Sequence, residues 1–160
     1  MLSDNTDPIY AVEKMVDKKM SNEKFVGSWE LKEWSAELGD ESIVFPFGQD
    51  AIGHISYDSD GNMTVQIMKN NRSEFLSKDP LQAQPNEAVV AYTGFIAYSG
   101  NYEVNLDTNQ VVHRIKISSF PNWVGQDQIR NFKFNGNELT LSTDLIGSSR
   151  HKLVWTKIDN

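Results

Sequence analysis

The chain has 160 residues, which fits one domain, and 39% of them are apolar, enough for a single hydrophobic core. It contains no cysteine, so disulfides, thiolate nucleophiles and cysteine-based metal sites are excluded. The net charge of −7 disfavours nucleic acids and anionic membranes, since both partners require a basic surface.

Residues 1–22 form the first predicted element, a helical extension outside the folded domain at 23–160. Asp7-Pro8 is typical of a helix start, with aspartate as the N-cap and proline in the first turn. One interpretation is an extension that packs loosely outside the domain. The alternative is a helix that covers one end of the domain or pairs with a second copy as a homodimer. The apolar residues that follow recur at helical spacing: Ile9, Val12, Met15, Val16 and Met20.

The amino terminus also bears on location in the cell. It has neither the basic nor the apolar region of a secretory signal, and no apolar run in the chain reaches membrane-spanning length. We therefore expect a cytoplasmic protein.

From residue 24 onward the chain consists mainly of short alternating strands. Asp60-Gly61 and Asn135-Gly136 are hairpin turn signals. One short helix is predicted from Asn86 to about Phe95, with Val89 and Val90 on its buried side. Eight or more antiparallel strands predict a sandwich or a barrel. The predicted strands cover residues 25–33, 50–57, 63–68, 97–104, 111–117, 128–134, 138–142 and 152–158.

The turn at residues 118–125 places a phenylalanine, a proline, a tryptophan and a glycine in one tight segment after an alternating strand. Together with Gly27-Ser28-Trp29, it predicts a closed antiparallel barrel with large aromatic rings at its mouth or floor. Such a barrel must either fill its centre with side chains or leave room for a ligand. We expect Phe120 and Trp123 to gate the mouth or seal the bottom.

Several motifs in this order resemble those of the bacterial and fungal lipocalin-like domain family, over about residues 24–158. The resemblance implies a closed up-and-down barrel with an interior pocket. Lipocalin-fold proteins of secondary metabolism include inert carriers and cyclases or isomerases, so it leaves activity open. The motifs are Phe25-Val26-Gly27-Ser28-Trp29-Glu30-Leu31, Phe45-Pro46-Phe47-Gly48, Asp50-Ala51-Ile52-Gly53, residues 60–66, 98–104 and 120–125, Val112-His113, residues 139–143, and Leu153-Val154-Trp155.

Strand alternation places two basic side chains on inward faces. His113 shares a face with Val111, Ile115 and Ile117, and is either a core histidine held by a tyrosine or carbonyl, or an acid–base group. Arg130 shares a face with Phe132. An inward arginine needs a partner, and the candidates are Glu33, the ring of Trp29, or an anionic ligand group such as a carboxylate or enolate. Arg150 and Lys157 compete with Arg130 for the place on Trp29.

The predicted function is binding of a small apolar or amphipathic molecule inside the barrel. One alternative is a cofactor-independent isomerase or cyclase, in which His113 moves a proton and Arg130 holds an oxyanion. A second is a filled barrel with a structural or pairing role. Three histidines on separate strands give no metal site, and no cofactor is expected. The polar candidates are His113, Arg130 and Tyr102, and the predicted ligand contacts are Trp29, Glu33, Tyr57, Met63, Val65, Tyr98, Ile115, Phe120, Trp123 and Phe132.

Overall fold

A computed structural model describes residues 7–159, without the side chains of residues 18–21. Eight antiparallel strands close into an up-and-down barrel, because the last strand of the chain pairs back onto the first, and an additional two-residue strand pairs with the end of the first. The predicted closed barrel, with one internal helix and an N-terminal helix, is confirmed. The strands are β1 (Gly27–Leu38), β2 (Ile43–Val44), β3 (Ile52–Tyr57), β4 (Asn62–Met68), β5 (Phe95–Asn105), β6 (Gln110–Ser118), β7 (Asp127–Asn135), β8 (Glu138–Ser142) and β9 (Ser149–Lys157).

The described residues include two α-helices, which lie outside the barrel wall. Helix α1 (Pro8–Glu23) begins as predicted, because the Asp7 carboxylate accepts a 2.9 Å hydrogen bond from the Ile9 amide. Its apolar stripe is exposed at Ile9, Val12, Met15 and Val16, while the Met20 side chain lies outside the described residues. The division of the chain into residues 1–22 and 23–160 stays a prediction.

Helix α2 (Pro85–Thr93) has the predicted position, but the prediction that Val89 and Val90 are buried is wrong. Both valines are exposed, and the helix buries none of its residues. Its position depends on local hydrogen bonds instead, since the Glu87 side chain accepts from the amides of Gln84 and Leu76. The neighbouring valines of this nine-residue helix therefore do not form a buried face.

Aromatic rings fill one end of the barrel, which we call the floor. Phe25 is fully buried there, with ring centroids 5.2 Å from Tyr57 and 5.0 Å from both Phe132 and Phe134. The Tyr102 hydroxyl also lies at this end and donates to the Asp58 carbonyl in the β3–β4 turn. Because the strands alternate in direction, the long connections at 69–94, 118–126 and 143–148 lie at the opposite end, the mouth.

Lys157 occupies the place on Trp29 for which three basic residues were candidates. Its ammonium nitrogen lies 4.6 Å from the Trp29 ring centroid and donates to the Val26 carbonyl. The indole N–H of Trp29 in turn donates to the Phe25 carbonyl at 2.9 Å. Arg130 is therefore left free of this structural role.

We expect Lys157→Met to lower the free energy of unfolding by about 1 to 2 kcal/mol, because it keeps the aliphatic stem but loses the cation–π contact and the carbonyl hydrogen bond. Urea unfolding measures the change, with Lys152→Met, an exposed position on the same strand, as the control. Equal stability of the two variants would contradict this role for Lys157.

Candidate functional site

A cavity of about 260 Å³ lies in the mouth half of the barrel. Its walls are mostly apolar and aromatic. The packed core and the floor close the barrel beneath it. Ile146 lines the cavity and is 50% exposed, so it stands where the cavity meets the surface. The lining residues are Trp34, Ile55, Val65, Ile67, Ile96, Tyr98, His113, Trp123, Arg130, Leu141, Thr143, Ile146, His151, Leu153 and Trp155.

The structure brings five of the predicted site residues to this cavity: Val65, Tyr98, His113, Trp123 and Arg130. The other predicted contacts lie elsewhere. Five of them face inward but pack in the solid core or the floor below the cavity, namely Trp29, Tyr57, Met63, Tyr102 and Phe132. Ile115 is also buried, but it follows His113 toward the mouth end of β6 and does not line the cavity.

Two predicted contacts are corrected more strongly. Glu33 is exposed, because a β-bulge between Leu31 and Glu33 shifts the register of β1 against β9 and turns Trp34 inward instead. Phe120 is 36% exposed and does not line the cavity, although its ring packs edge-on against Trp123 at 5.5 Å. Trp123 therefore lines the mouth, and Phe120 supports it from outside.

Strand β9 supplies three cavity residues that sequence reasoning missed. His151, Leu153 and Trp155 alternate along the strand and share its inward face. That alternation was available in the sequence as the signal. Thr143 carried the same signal, because it continues the alternation of Leu139 and Leu141 just past β8. Ile146 carried none, because the loop in which it lies has no periodic pattern.

His113 is the most constrained polar group of the cavity wall. It is 1% exposed, and both ring nitrogens are engaged: Nε2 lies 2.8 Å from the Tyr57 hydroxyl and Nδ1 lies 2.8 Å from the Tyr98 hydroxyl. Burial, and secondarily the nearby Arg130 charge, lower the pKa of His113 to about 3. The imidazole is therefore neutral at physiological pH and a weak base.

Arg130 carries the one full charge among the described residues that line the cavity. Its guanidinium donates to the Ile129 carbonyl at 3.0 Å and to the Gln128 side-chain oxygen at 3.3 Å. Within residues 7–159 no carboxylate forms an ion pair with it. Burial, and then the Arg130 charge, also lower the pKa of His151, whose Nδ1 accepts from the Trp34 indole at 3.1 Å.

One donor enclosed behind the cavity lining has no partner. The indole N–H of Trp155 is buried, and no acceptor for it lies in the described part of the chain. No metal site is indicated, since no three His, Asp or Glu side chains among the described residues are grouped closely enough to hold an ion.

The helices of residues 7–159 include none with the length and hydropathy of a membrane-spanning segment.

Comparison with known proteins agrees with this architecture. The lipocalin-like domain family matches residues 26–158. The chain belongs to this family. The 4'-hydroxy-3'-methoxypropiophenone carrier protein ppsC of Aspergillus oryzae is 32% identical to it in an alignment of 107 positions that covers 60% of this chain and 96% of the relative.

Two of the solved structures that match this chain share little sequence with it. A redesigned beta barrel is 8% identical with a TM-score of 0.45, covering 87% of this chain and 96% of its own. The REP1-NXSQ fatty acid transporter is 11% identical with a TM-score of 0.39, covering 86% of this chain and 98% of its own.

Proposed function

We propose that this lipocalin-like barrel binds one small amphipathic molecule in its mouth cavity and carries it without chemical conversion. The observation that carries the proposal is the cavity itself: three tryptophans and a tyrosine form much of its wall, and a single unpaired cation faces it. Apolar walls with a few placed polar groups are typical of ligand pockets. A barrel packed solid, the structural alternative, does not have such a space.

The cavity volume limits the ligand to roughly the size of one substituted benzene ring. A cavity of about 150 Å³ holds benzene, and the cavity here measures about 260 Å³. The relative from Aspergillus oryzae is named a carrier of a substituted phenyl ketone, which belongs to this size class. A compact aromatic molecule therefore fits better than a long acyl chain.

The surroundings of His113 favour a carrier over the isomerase or cyclase alternative. A general base works best when its pKa lies near the working pH, whereas the pKa of His113 is lowered to about 3. Both of its nitrogens are also occupied by tyrosines, so neither is free to take a proton from a ligand. Turnover of a bound aromatic ketone by the purified protein would instead support the enzyme.

Blocking the mouth tests the proposal. Ile146→Trp should weaken binding of propiophenone by at least roughly tenfold, because the larger ring enters the cavity opening. Leu145→Trp is the matched control: it changes the neighbouring residue, which is 59% exposed and does not line the cavity, and should leave affinity within about twofold. Isothermal titration calorimetry measures both. No binding to the wild type, or equal binding by both variants, would contradict the proposal.

The remaining parts of the proposal concern partners and location. The net charge of −7 supports the absence of nucleic acid and anionic membrane partners. A homodimer through the exposed stripe of α1 stays an alternative, which sedimentation of the full chain and of Val12→Glu would test. A cytoplasmic location likewise stays part of the proposal, and cell fractionation tests it.

A further inference from the structure

The hydrogen bonds around His113 have a direction, and that direction determines which ligand chemistry the cavity accepts. This inference rests on the proposed function and refines it. A neutral imidazole has one N–H donor and one acceptor nitrogen. Tyr57 and Tyr98 each lie 2.8 Å from one of the two nitrogens, so one tyrosine donates to the ring and the other accepts from it.

Tyr57 must be the donor. It is 2% exposed and packs in the floor cluster, and within the described residues its hydroxyl forms a hydrogen bond with His113 alone. If Nε2 carried the proton, the buried Tyr57 O–H would have no acceptor, which is costly. Nε2 therefore accepts from Tyr57, and the proton of His113 is on Nδ1.

The consequence falls on Tyr98, which lines the cavity. Its oxygen accepts the Nδ1–H of His113, so its own O–H must find a different acceptor. The nearby Arg130 cannot serve, because a guanidinium has donors only. The Tyr98 O–H is thus left free to donate to a molecule in the cavity.

The other polar groups of the cavity wall likewise leave hydrogen-bond donors, and not acceptors, free. Arg130, which lines the cavity, offers N–H groups beyond those that bond the Ile129 carbonyl and the Gln128 side chain. The acceptors are already engaged: His151 Nδ1 accepts from Trp34, and the Thr143 hydroxyl oxygen accepts from the His151 amide. The cavity therefore presents donors, and a ligand must supply the acceptor.

We infer that the cavity selects flat conjugated molecules with an acceptor oxygen on a trigonal or aromatic carbon, namely a ketone, a carboxylate or a phenolate. The Tyr57–His113–Tyr98 chain orients the Tyr98 O–H toward that oxygen, with the Arg130 guanidinium beside it. Tyr57 and His113 are positioning residues, while Tyr98 contacts the ligand. Molecules of the same shape without the oxygen leave the Tyr98 donor unsatisfied when they bind.

Paired probes test this selection. Propiophenone and propylbenzene share a skeleton and differ in the carbonyl oxygen. The wild type should bind the ketone at least roughly tenfold more tightly, and Tyr98→Phe should weaken the ketone about three- to tenfold without weakening propylbenzene. Tyr10→Phe, on α1 outside the barrel, is the matched control and should leave the preference for the ketone unchanged.

The outcomes separate the inference from the proposed function. Equal binding of the two probes to the wild type, or equal weakening of both by Tyr98→Phe, overturns the inference while cavity binding stands. If neither probe binds, the proposed function fails and the inference with it. Nitrogen-15 NMR of the ligand-free protein gives an independent test: we expect the His113 proton on Nδ1, and finding it on Nε2 overturns the directed chain.

Discussion

Replacement of Gly100 by alanine is expected to destabilise the barrel by at least about 4 kcal/mol, an effect that few single substitutions reach. Gly100 lies in β5 at a β-bulge, where the pairing with β6 skips Lys116. A Cβ atom built on Gly100 would overlap the Arg114 carbonyl oxygen, and it would lie 2.9 Å from the carbonyl carbon and 3.1 Å from the Lys116 amide nitrogen. These neighbours are backbone atoms, so no side-chain rotation relieves the overlap.

Gly39→Ala is the matched control for this substitution. Gly39 follows β1, and a Cβ there would meet only the Ser148 carbonyl oxygen at 3.8 Å, an ordinary contact. Chemical unfolding of both variants measures the difference, and soluble expression provides a second measurement if Gly100→Ala does not fold. A Gly100→Ala protein as stable as Gly39→Ala would show that β5 and β6 can separate at little cost.

Acidification from pH 7.5 to 4.5 is expected to lower the free energy of unfolding by roughly 2 to 3 kcal/mol through His113 alone, since each unit of pKa shift corresponds to about 1.36 kcal/mol. In the unfolded chain the pKa of His113 returns to its ordinary 6.5, whereas the fold holds it at about 3. Below pH 6.5 the unfolded state therefore binds a proton that the folded state refuses. The stabilisation is complete above pH 6.5 and is lost progressively as the pH falls toward 3.

The His113→Gln variant isolates this contribution. Its stability at neutral pH will be lower because the two tyrosine hydrogen bonds change, so the comparison concerns the slope between pH 7.5 and 4.5 and not the absolute stability. We expect a clearly shallower slope. Some slope should remain, because the pKa of His151 is lowered too. Parallel slopes for the variant and the wild type would mean that His113 takes up its proton in the fold.

Periodic pattern accounts for what the sequence could predict of the fold and the site. His113 and Arg130 are inward, as alternation along β6 and β7 indicated, and both line the cavity. Alternation failed where a bulge intervened. Glu33 faces solvent after the bulge in β1, and Ile117 is 69% exposed after the bulge opposite Gly100. A bulge moves every later side chain of its strand to the opposite face of the sheet, and no local sequence pattern predicted the two bulges here.

Local chemistry by itself determined the helix start at Asp7-Pro8, the hairpin turns and the antiparallel strands, because these depend on neighbouring residues and on a two-residue period. The closure of these strands into a barrel depends on the pairing of β1 with β9. Only the tertiary structure decided at which level of the barrel the packed core ends and the cavity begins. The floor closes because Phe25 meets Tyr57 of β3 and both Phe132 and Phe134 of β7. The direction of the Tyr57–His113–Tyr98 chain also depends on contacts between distant residues, since it follows from which tyrosine is buried without another acceptor.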